Sequence, residues 1–189
     1  MKRLLVGLLL LLPLATASAE IVGLQFAPEE IPEDTYVIKY SSSTMDMLEV
    51  EPLASQTYDY AFRSKDGRFE IRYILFRQTG EIPSFEEFRL QASLWSTMVI
   101  ANITGHEPTT ANTSAFNNDD VRTEFNADFG ITSFSNNITT DYSDDFECVM
   151  MSFYCKQGLG IVCQTIHFND LAWAQTEEFV YWFHGFYFL

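Results

Sequence analysis

The sequence has few basic residues. Its 189 residues include 11 Lys and Arg against 26 Asp and Glu, which gives a net charge of −15. Such an acidic surface repels nucleic-acid phosphates and anionic lipid surfaces, so we expect no nucleic-acid partner. The charge does not make the chain disordered, because 47% of the residues are hydrophobic and 15% are aromatic, enough for an ordinary core.

Cysteine and histidine are scarce, with three of each. Three cysteines form at most one disulfide, so a disulfide framework does not hold the domain together. The histidines are scattered and no Cys-x-x-Cys pair occurs, so the usual zinc spacings are missing. A Gly-x-Ser-x-Gly elbow and a complete dinucleotide-binding glycine motif are missing as well. We therefore expect no catalytic constellation, no metal site and no cofactor.

Long hydrophobic runs are also missing, since none reaches the roughly 18 apolar residues that span a bilayer. The apolar run over residues 4–14 follows the basic pair Lys2 and Arg3 and precedes small residues at Ala17 and Ala19. These three elements in this order are typical of a secretory signal peptide. We predict cleavage after Ala19, no transmembrane segment beyond it, and a protein that is exported to a periplasm or out of the cell.

The rest of the chain has the length of one domain. Residues 20–35 contain Pro28, Pro32 and several acidic residues, which predicts an extended N-terminal arm. Residues 36–189 follow, and about 150 residues fit a single hydrophobic core. We therefore predict one domain after a signal peptide over residues 1–19.

The first half of this domain shows the patterns of a hairpin and a helix. Within residues 57–77, aromatic residues alternate with polar ones on both sides of Asp66 and Gly67, and Asp-Gly is a strong hairpin turn signal. Ser84 and Glu87 form a capping box that predicts the start of a helix, which Gly105 would end. The predicted inner face of this helix contains Phe85, Phe88, Ala92, Trp95, Met98 and Val99.

The last third of the chain is predicted to hold two strands and a helix. Residues 146–154 and 161–168 are apolar runs joined by a glycine-containing turn, which is typical of paired central strands. Asn169 or Asp170 is predicted to cap a helix that ends at Gly185. We expect the aromatic tail after this helix to pack on the sheet and complete the core.

The most regular alternation covers residues 121–131 and predicts a strand. The polar face of this strand would carry Arg122, Glu124, Asn126 and Asp128. This polar stripe is our first candidate for a binding surface or for acid/base carboxylates, and the alternative is the wet face of an antiparallel sheet. The hairpin offers a second polar row with Arg68, Glu70 and Arg72. Acidic loops over residues 117–120 and 141–147 lack the spacing of an EF-hand, and we interpret them as solvated loops.

The order strands, helix, strands, helix predicts an α+β domain, with two main helices packed on a mostly antiparallel sheet of about five to six strands. This order and residues 124–130, which read Glu-Phe-Asn-Ala-Asp-Phe-Gly, resemble a group of exported spirochaetal proteins of unassigned function. The architecture is similar to that of Mog1/PsbP-like domains, small α+β modules that mostly bind other proteins. The resemblance covers residues 58–183, and it implies a protein-binding role without assigning a site residue.

Three functions fit these observations. The first is an exported, non-enzymatic domain that binds a protein partner or serves an envelope role. The second is a soluble carrier of an apolar small molecule in an aromatic cavity. The side chains expected to line that cavity are Phe88, Trp95, Phe125 and Trp182. The third is a small hydrolase, in which Cys148 or Cys155 pairs with His167, or the polar stripe supplies carboxylates; it requires these groups to converge.

Overall fold

The computed structural model of the chain describes residues 25–26, 31–49, 58–79, 84–105, 113–136, 138–139 and 143–189. In chain order, its strands are β1 (Gln25–Phe26), β2 (Tyr36–Ile38), β3 (Met45–Met47), β4 (Tyr60–Ser64), β5 (Phe69–Thr79), β6 (Thr113–Ala115), β7 (Phe129–Ser135), β8 (Cys148–Lys156), β9 (Gly160–Phe168) and β10 (Phe186–Phe188). Its helices are α1 (Phe85–Thr104), α2 (Asn118–Phe125) and α3 (Glu177–Phe183). None of the described helices is long and apolar enough to cross a membrane. The predicted signal peptide and its cleavage site at Ala17 and Ala19 lie outside the described residues.

One antiparallel sheet forms the centre of the fold. Seven of its strands follow the order β3-β4-β5-β9-β8-β7-β6, and the short β1 pairs with the far end of β5. All pairings between the described strands are antiparallel, which confirms the predicted α+β class. The predicted number of strands was too low. The strands β3 and β6 lie at the sheet edges and are only three residues long, too short for an alternating pattern to identify a strand.

The two faces of the sheet are covered by different elements. Helix α1 covers the face that we call the α1 face, where Phe88 and Ala92 pack against side chains of β7, β8 and β9. Helices α2 and α3 and the two-stranded ribbon of β2 and β10 cover the opposite face, called the C-terminal face. Phe186 and Phe188 of β10 are fully buried there, so the aromatic tail completes the core as predicted.

The local signals of the hairpin and of α1 are confirmed. Gly67 turns the chain between β4 and β5 with a φ of +73°, a left-handed conformation that glycine adopts without steric cost. Ser84 and Glu87 form both hydrogen bonds of the capping box at the start of α1. Gly105 ends the helix with a φ of +64°. The paired central strands are also present, as β8 and β9.

Helix α2 occupies the first part of the strand predicted over residues 121–131, so that prediction is wrong there. The Asn117 side chain caps the helix by accepting a hydrogen bond from a backbone N–H of its first turn (2.9 Å). Val121 and Phe125 are buried, and a spacing of four residues fits one face of a helix as well as one face of a strand. Asn126 then ends the helix in a left-handed conformation with a φ of +49°.

The last helix begins later than predicted. Thr176 caps α3, rather than Asn169 or Asp170. The intervening residues form a single 3-10 turn that places Trp173 in the core, where its ring stacks on Phe69 at 4.7 Å between centroids. The Asn169 side chain instead hydrogen-bonds the backbone that precedes β8. Asp170 accepts a backbone N–H within the turn.

Part of the predicted N-terminal arm belongs to the domain. Ile31 is buried in the core of the C-terminal face, and Glu33–Thr35 forms a single 3-10 turn before β2. Gln25–Phe26 pairs with β5 as strand β1. The rest of the arm over residues 20–35 lies outside the described residues.

Candidate functional site

The structure distributes the predicted polar stripe over three different positions. Arg122 and Glu124 lie on the exposed part of α2, Asn126 at the end of that helix, and Asp128 in the turn before β7. In a helix, residues two apart point about 200° apart around the axis rather than to one side. The four side chains therefore do not form the single row that a strand would have produced.

Three residues of the stripe hold neighbouring elements together. Glu124 Oε2 lies 2.8 Å from His184 Nε2 at the end of α3. The Asn126 amide donates to the Phe188 carbonyl oxygen (3.0 Å), and Asp128 accepts the backbone N–H of the turn between β8 and β9 (2.8 Å). These contacts tie the segment around α2 to α3, β10 and β8. They give these three residues a structural role.

The thiols and His167 do not converge. Cys163 shares the α1 face with His167, but four residues of extended strand separate their Cα atoms by about 13 Å. Cys155 of β8 pairs with Ile161 of β9, and Ile161 lies six residues before His167 on that strand. Cys155 and His167 therefore lie at opposite ends of the β8–β9 pair. Cys148 packs in the core of the C-terminal face, so it points away from His167.

The thiols are also poor nucleophiles. All three are free and buried, and burial raises the pKa of each, that of Cys155 to about 12. A catalytic cysteine needs a lowered pKa, so that the thiolate forms at neutral pH. The cysteine version of the hydrolase hypothesis therefore has no support in the described geometry.

The aromatic residues proposed to line a carrier cavity lie on opposite faces of the sheet. Phe88 and Trp95 pack on the α1 face, where Trp95 contacts the rings of its neighbours at 5.4 and 5.9 Å between centroids. Phe125 and Trp182 pack on the C-terminal face. The sheet separates the two pairs, so the four side chains cannot line one cavity.

Two residues of the second polar row predicted for the hairpin, Glu70 and Arg72, belong to a buried ion network. Glu70 is 1% exposed and accepts hydrogen bonds from Arg63 (2.8 Å) and from Arg72. Arg63 reaches on to Asp145 (2.8 Å). Both guanidinium groups lie over aromatic rings, at 5.2 and 4.8 Å from the ring centroids. Arg68, the third residue of that row, pairs instead with acidic residues at the surface.

This network is neutral overall, since two carboxylates face two guanidinium groups. Each oxygen of the Glu70 carboxylate accepts a hydrogen bond from a different arginine, and the side chain is buried, so a ligand in solvent cannot reach it. We interpret the network as a structural element of the sheet, in which each buried charge depends on its partner. The alternating pattern predicted which side of its strand Glu70 faces. It did not predict that Glu70 is buried there.

His167 lies beside this network, opposite Glu70 across the β5–β9 pair. Burial, reinforced by the positive charge of Arg72, lowers the pKa of His167 from 6.5 to about 3. The unfolded chain therefore binds a proton below pH 6.5 that the folded protein does not bind until about pH 3.

Because of this difference, we expect the free energy of unfolding to fall as the pH is lowered from 7 to 5. Urea denaturation at several pH values measures the slope. His167→Gln removes the titrating group, so the variant should show a shallower slope than the wild type over this range. An unchanged slope in the variant would contradict the assignment of a buried, neutral histidine.

The described residues contain no group of three His, Cys, Asp or Glu side chains that could hold a metal ion. Asp119 and Asp120 belong to the first turn of α2, and Asp145 pairs with Arg63. These acids thus have structural roles within the described part of the two loops.

The outer side of α1 carries an apolar row that the sequence pattern did not reveal. Leu90, Leu94 and Met98 follow each other at spacings of four, and they are 52%, 41% and 56% exposed. We call these three residues the outer row. Met98 was predicted to face inward, and its exposure corrects that prediction. The row belongs to residues 90–105, which contain no charged residue.

The inner side of α1 contains buried polar side chains. Gln91 and Ser96 are buried, and within the described part of the chain the Gln91 amide and the Ser96 hydroxyl have no hydrogen-bond partner. A buried polar group without a partner costs about 1–3 kcal/mol. The helix therefore exposes leucines while it buries polar side chains, an arrangement that the stability of the isolated domain does not favour. The uncharged run after Arg89 was the one sequence signal that could have indicated this surface.

Comparison of the chain with protein families, with curated proteins and with solved structures finds no match. The resemblance to exported spirochaetal proteins and to Mog1/PsbP-like domains therefore stays a prediction.

Proposed function

We propose that this protein is an exported, non-enzymatic domain that binds another protein through the outer face of α1. The observation that carries the proposal is the outer row, three large apolar side chains exposed on the segment of α1 after Arg89, which contains no charged residue. Contiguous exposed apolar surface on an otherwise polar protein is a feature of protein interaction sites. The partner is a protein surface that is itself apolar and uncharged where it contacts α1.

The outer row can contribute part of the free energy of binding to a partner. Full burial of a leucine or methionine contributes about 1.5–3 kcal/mol, so side chains that are half exposed contribute about 1 kcal/mol each. The outer row then supplies about 3 kcal/mol, which changes a dissociation constant by roughly two orders of magnitude.

The charge distribution supports a protein partner over a nucleic acid or an anionic lipid surface. The chain carries a net charge of −15, which opposes both of those ligands. Residues 90–105 offer a long segment of α1 where an approaching protein meets no charge. Export rests on the signal-peptide pattern of the N-terminal residues.

A test compares the outer row with an apolar residue of similar exposure elsewhere. The protein is extracted from its own cells without denaturant and its size is measured by gel filtration. We expect elution above the 21.7 kDa of the chain for the wild type and a shift toward the monomer for Leu90→Gln/Leu94→Gln. Glutamine preserves the helix, because its helix propensity is close to that of leucine.

The control is Leu171→Gln, since Leu171 is 49% exposed but lies after β9, outside α1. This variant should elute with the wild type. If the wild type elutes as a monomer, or if both variants behave alike, the proposed function is wrong.

A further inference from the structure

A cavity that is open to solvent lies between the turn of the β4–β5 hairpin and α3. Its volume is about 250 Å³, just below the roughly 300–1,000 Å³ of typical small-molecule sites, so it has room for a small ligand. The side chains that matter for its chemistry are Lys65, Asp66, Arg68, Phe69, Glu178 and Trp182. None of them belongs to α1 or to the outer row.

The indole N–H of Trp182 is a hydrogen-bond donor to which the described residues offer no acceptor, although the side chain is only 6% exposed. A buried tryptophan N–H usually has a partner, and that of Trp173 donates to Glu178 (3.0 Å). Among the described polar atoms, those that are fully enclosed without a partner do not include the Trp182 nitrogen. This nitrogen therefore contacts open space, and the open space that Trp182 lines is the cavity.

The charged side chains of the cavity balance each other. Lys65 and Arg68 oppose Asp66 and Glu178, so the lining has no net charge. The Arg68 guanidinium donates to Asp66 (2.6 Å) and to Glu178 (3.0 Å). Within the described part of the chain these bonds use two of its five N–H groups, so three remain for an acceptor in the cavity. A ligand with hydrogen-bond acceptors can bind these donors without breaking an ion pair.

We propose that this cavity binds one ring of a neutral sugar. The oxygens of a sugar accept hydrogen bonds from the Trp182 indole and from Arg68, and its hydroxyl groups donate to the lone pairs that the two carboxylates retain. Phe69 and Trp182 provide an apolar wall for the C–H groups of the ring. Apolar walls with a few polar groups that fix orientation are typical of small-molecule sites.

Charge selects a neutral ligand over an anionic one. The lining is balanced, so neither sign of charge gains from it, and the net charge of −15 of the whole chain opposes the approach of an anion. The open cavity and the small number of donors predict a dissociation constant in the millimolar range.

NMR titration of the ¹⁵N-labelled protein tests the site at the atom that carries it. The chain has three tryptophans and therefore three indole N–H signals. Trp182→Phe identifies the signal of Trp182, because it removes the N–H and keeps an aromatic ring. The probes are glucose, galactose, mannose and N-acetylglucosamine. We expect at least one of them to shift the Trp182 signal saturably, while that of Trp95, on the α1 face, stays unchanged.

A pair of matched arginine variants tests the contribution of the guanidinium group. Arg68→Gln should weaken binding of that sugar by about tenfold, because it removes the charged donors from the cavity. Arg89→Gln is the control, since Arg89 is similarly exposed (54% against 51%) but lies on α1. It should retain the affinity of the wild type. The remaining signals of each spectrum show that the variants are folded.

The uronic acids test the expected neutrality of the ligand. Glucuronate and galacturonate carry a carboxylate where glucose and galactose carry a hydroxymethyl group, and they should bind more weakly than these parent sugars. Tighter binding of the acids, no shift of the Trp182 signal with any neutral sugar, or equal affinities of the two arginine variants overturns the inference. The proposed function would stand in each of these cases, because it depends on α1 alone.

Discussion

Replacing Glu70 with alanine is expected to lower the free energy of unfolding by about 3–5 kcal/mol, the cost of breaking a buried ion pair from one side. Glu70 is 1% exposed, and Arg72, one of its two arginine partners, has a side chain that is only 13% exposed. Removal of the carboxylate leaves that guanidinium group poorly hydrated and without its counter-charge. A loss of this size is a large fraction of the stability of a typical domain, about 5–15 kcal/mol.

The matched control is an acidic residue whose ion pair lies in solvent. Glu86 pairs with Arg89 at 2.8 Å, with side chains that are 71% and 54% exposed. Such pairs contribute little, so Glu86→Ala should cost less than about 1 kcal/mol. Urea denaturation of both variants measures the difference. Equal effects would show that the removal of Glu70 does not leave a buried guanidinium group without its counter-charge.

Replacing Phe125 with alanine is expected to cost about 3–5 kcal/mol, the usual effect of emptying an aromatic core position. Phe125 is fully buried at the end of α2, and its ring stacks on Tyr154 of β8 at 4.1 Å between centroids. The same ring meets Phe183 of α3 edge to face at 5.7 Å. Alanine would therefore remove the side chain that joins α2 and α3 to the sheet.

Phe134→Ala is the control for the loss of an aromatic side chain. Phe134 is 39% exposed at the C-terminal face of β7, so the substitution should cost clearly less than Phe125→Ala. Thermal or urea unfolding compares the two. A small effect of Phe125→Ala would mean that α2 does not pack on the sheet as described.

The parts of the fold that local signals determine could be predicted from the sequence. The turn at Gly67 and the ends of α1 at Ser84 and Gly105 each depend on one or two residues and their own backbone. Helix α2 could not be distinguished from a strand in this way. Val121 and Phe125 fit both periods, and the helix is decided by the Asn117 cap and the left-handed backbone at Asn126.

Whether a given side chain is buried or exposed depends on segments that are far away in the sequence. Glu70 was predicted on the wet side of a hairpin, yet it is buried beside β9, a partner about one hundred residues later in the chain. Met98 continues the apolar spacing of the inner face of α1 but lies outside. Its position follows from how α1 is oriented on the sheet, which depends on many contacts together. Periodicity alone could therefore not predict the outer row.

We propose that the outer face of α1 binds a protein in the living cell. The most direct test of this proposal is site-specific photocrosslinking in the protein's own cells, with a photoreactive amino acid at Leu94 or, as the control, at Leu171. We predict one discrete protein adduct from Leu94 and no such adduct from Leu171. No adduct from Leu94, or the same adducts from both positions, would contradict the account.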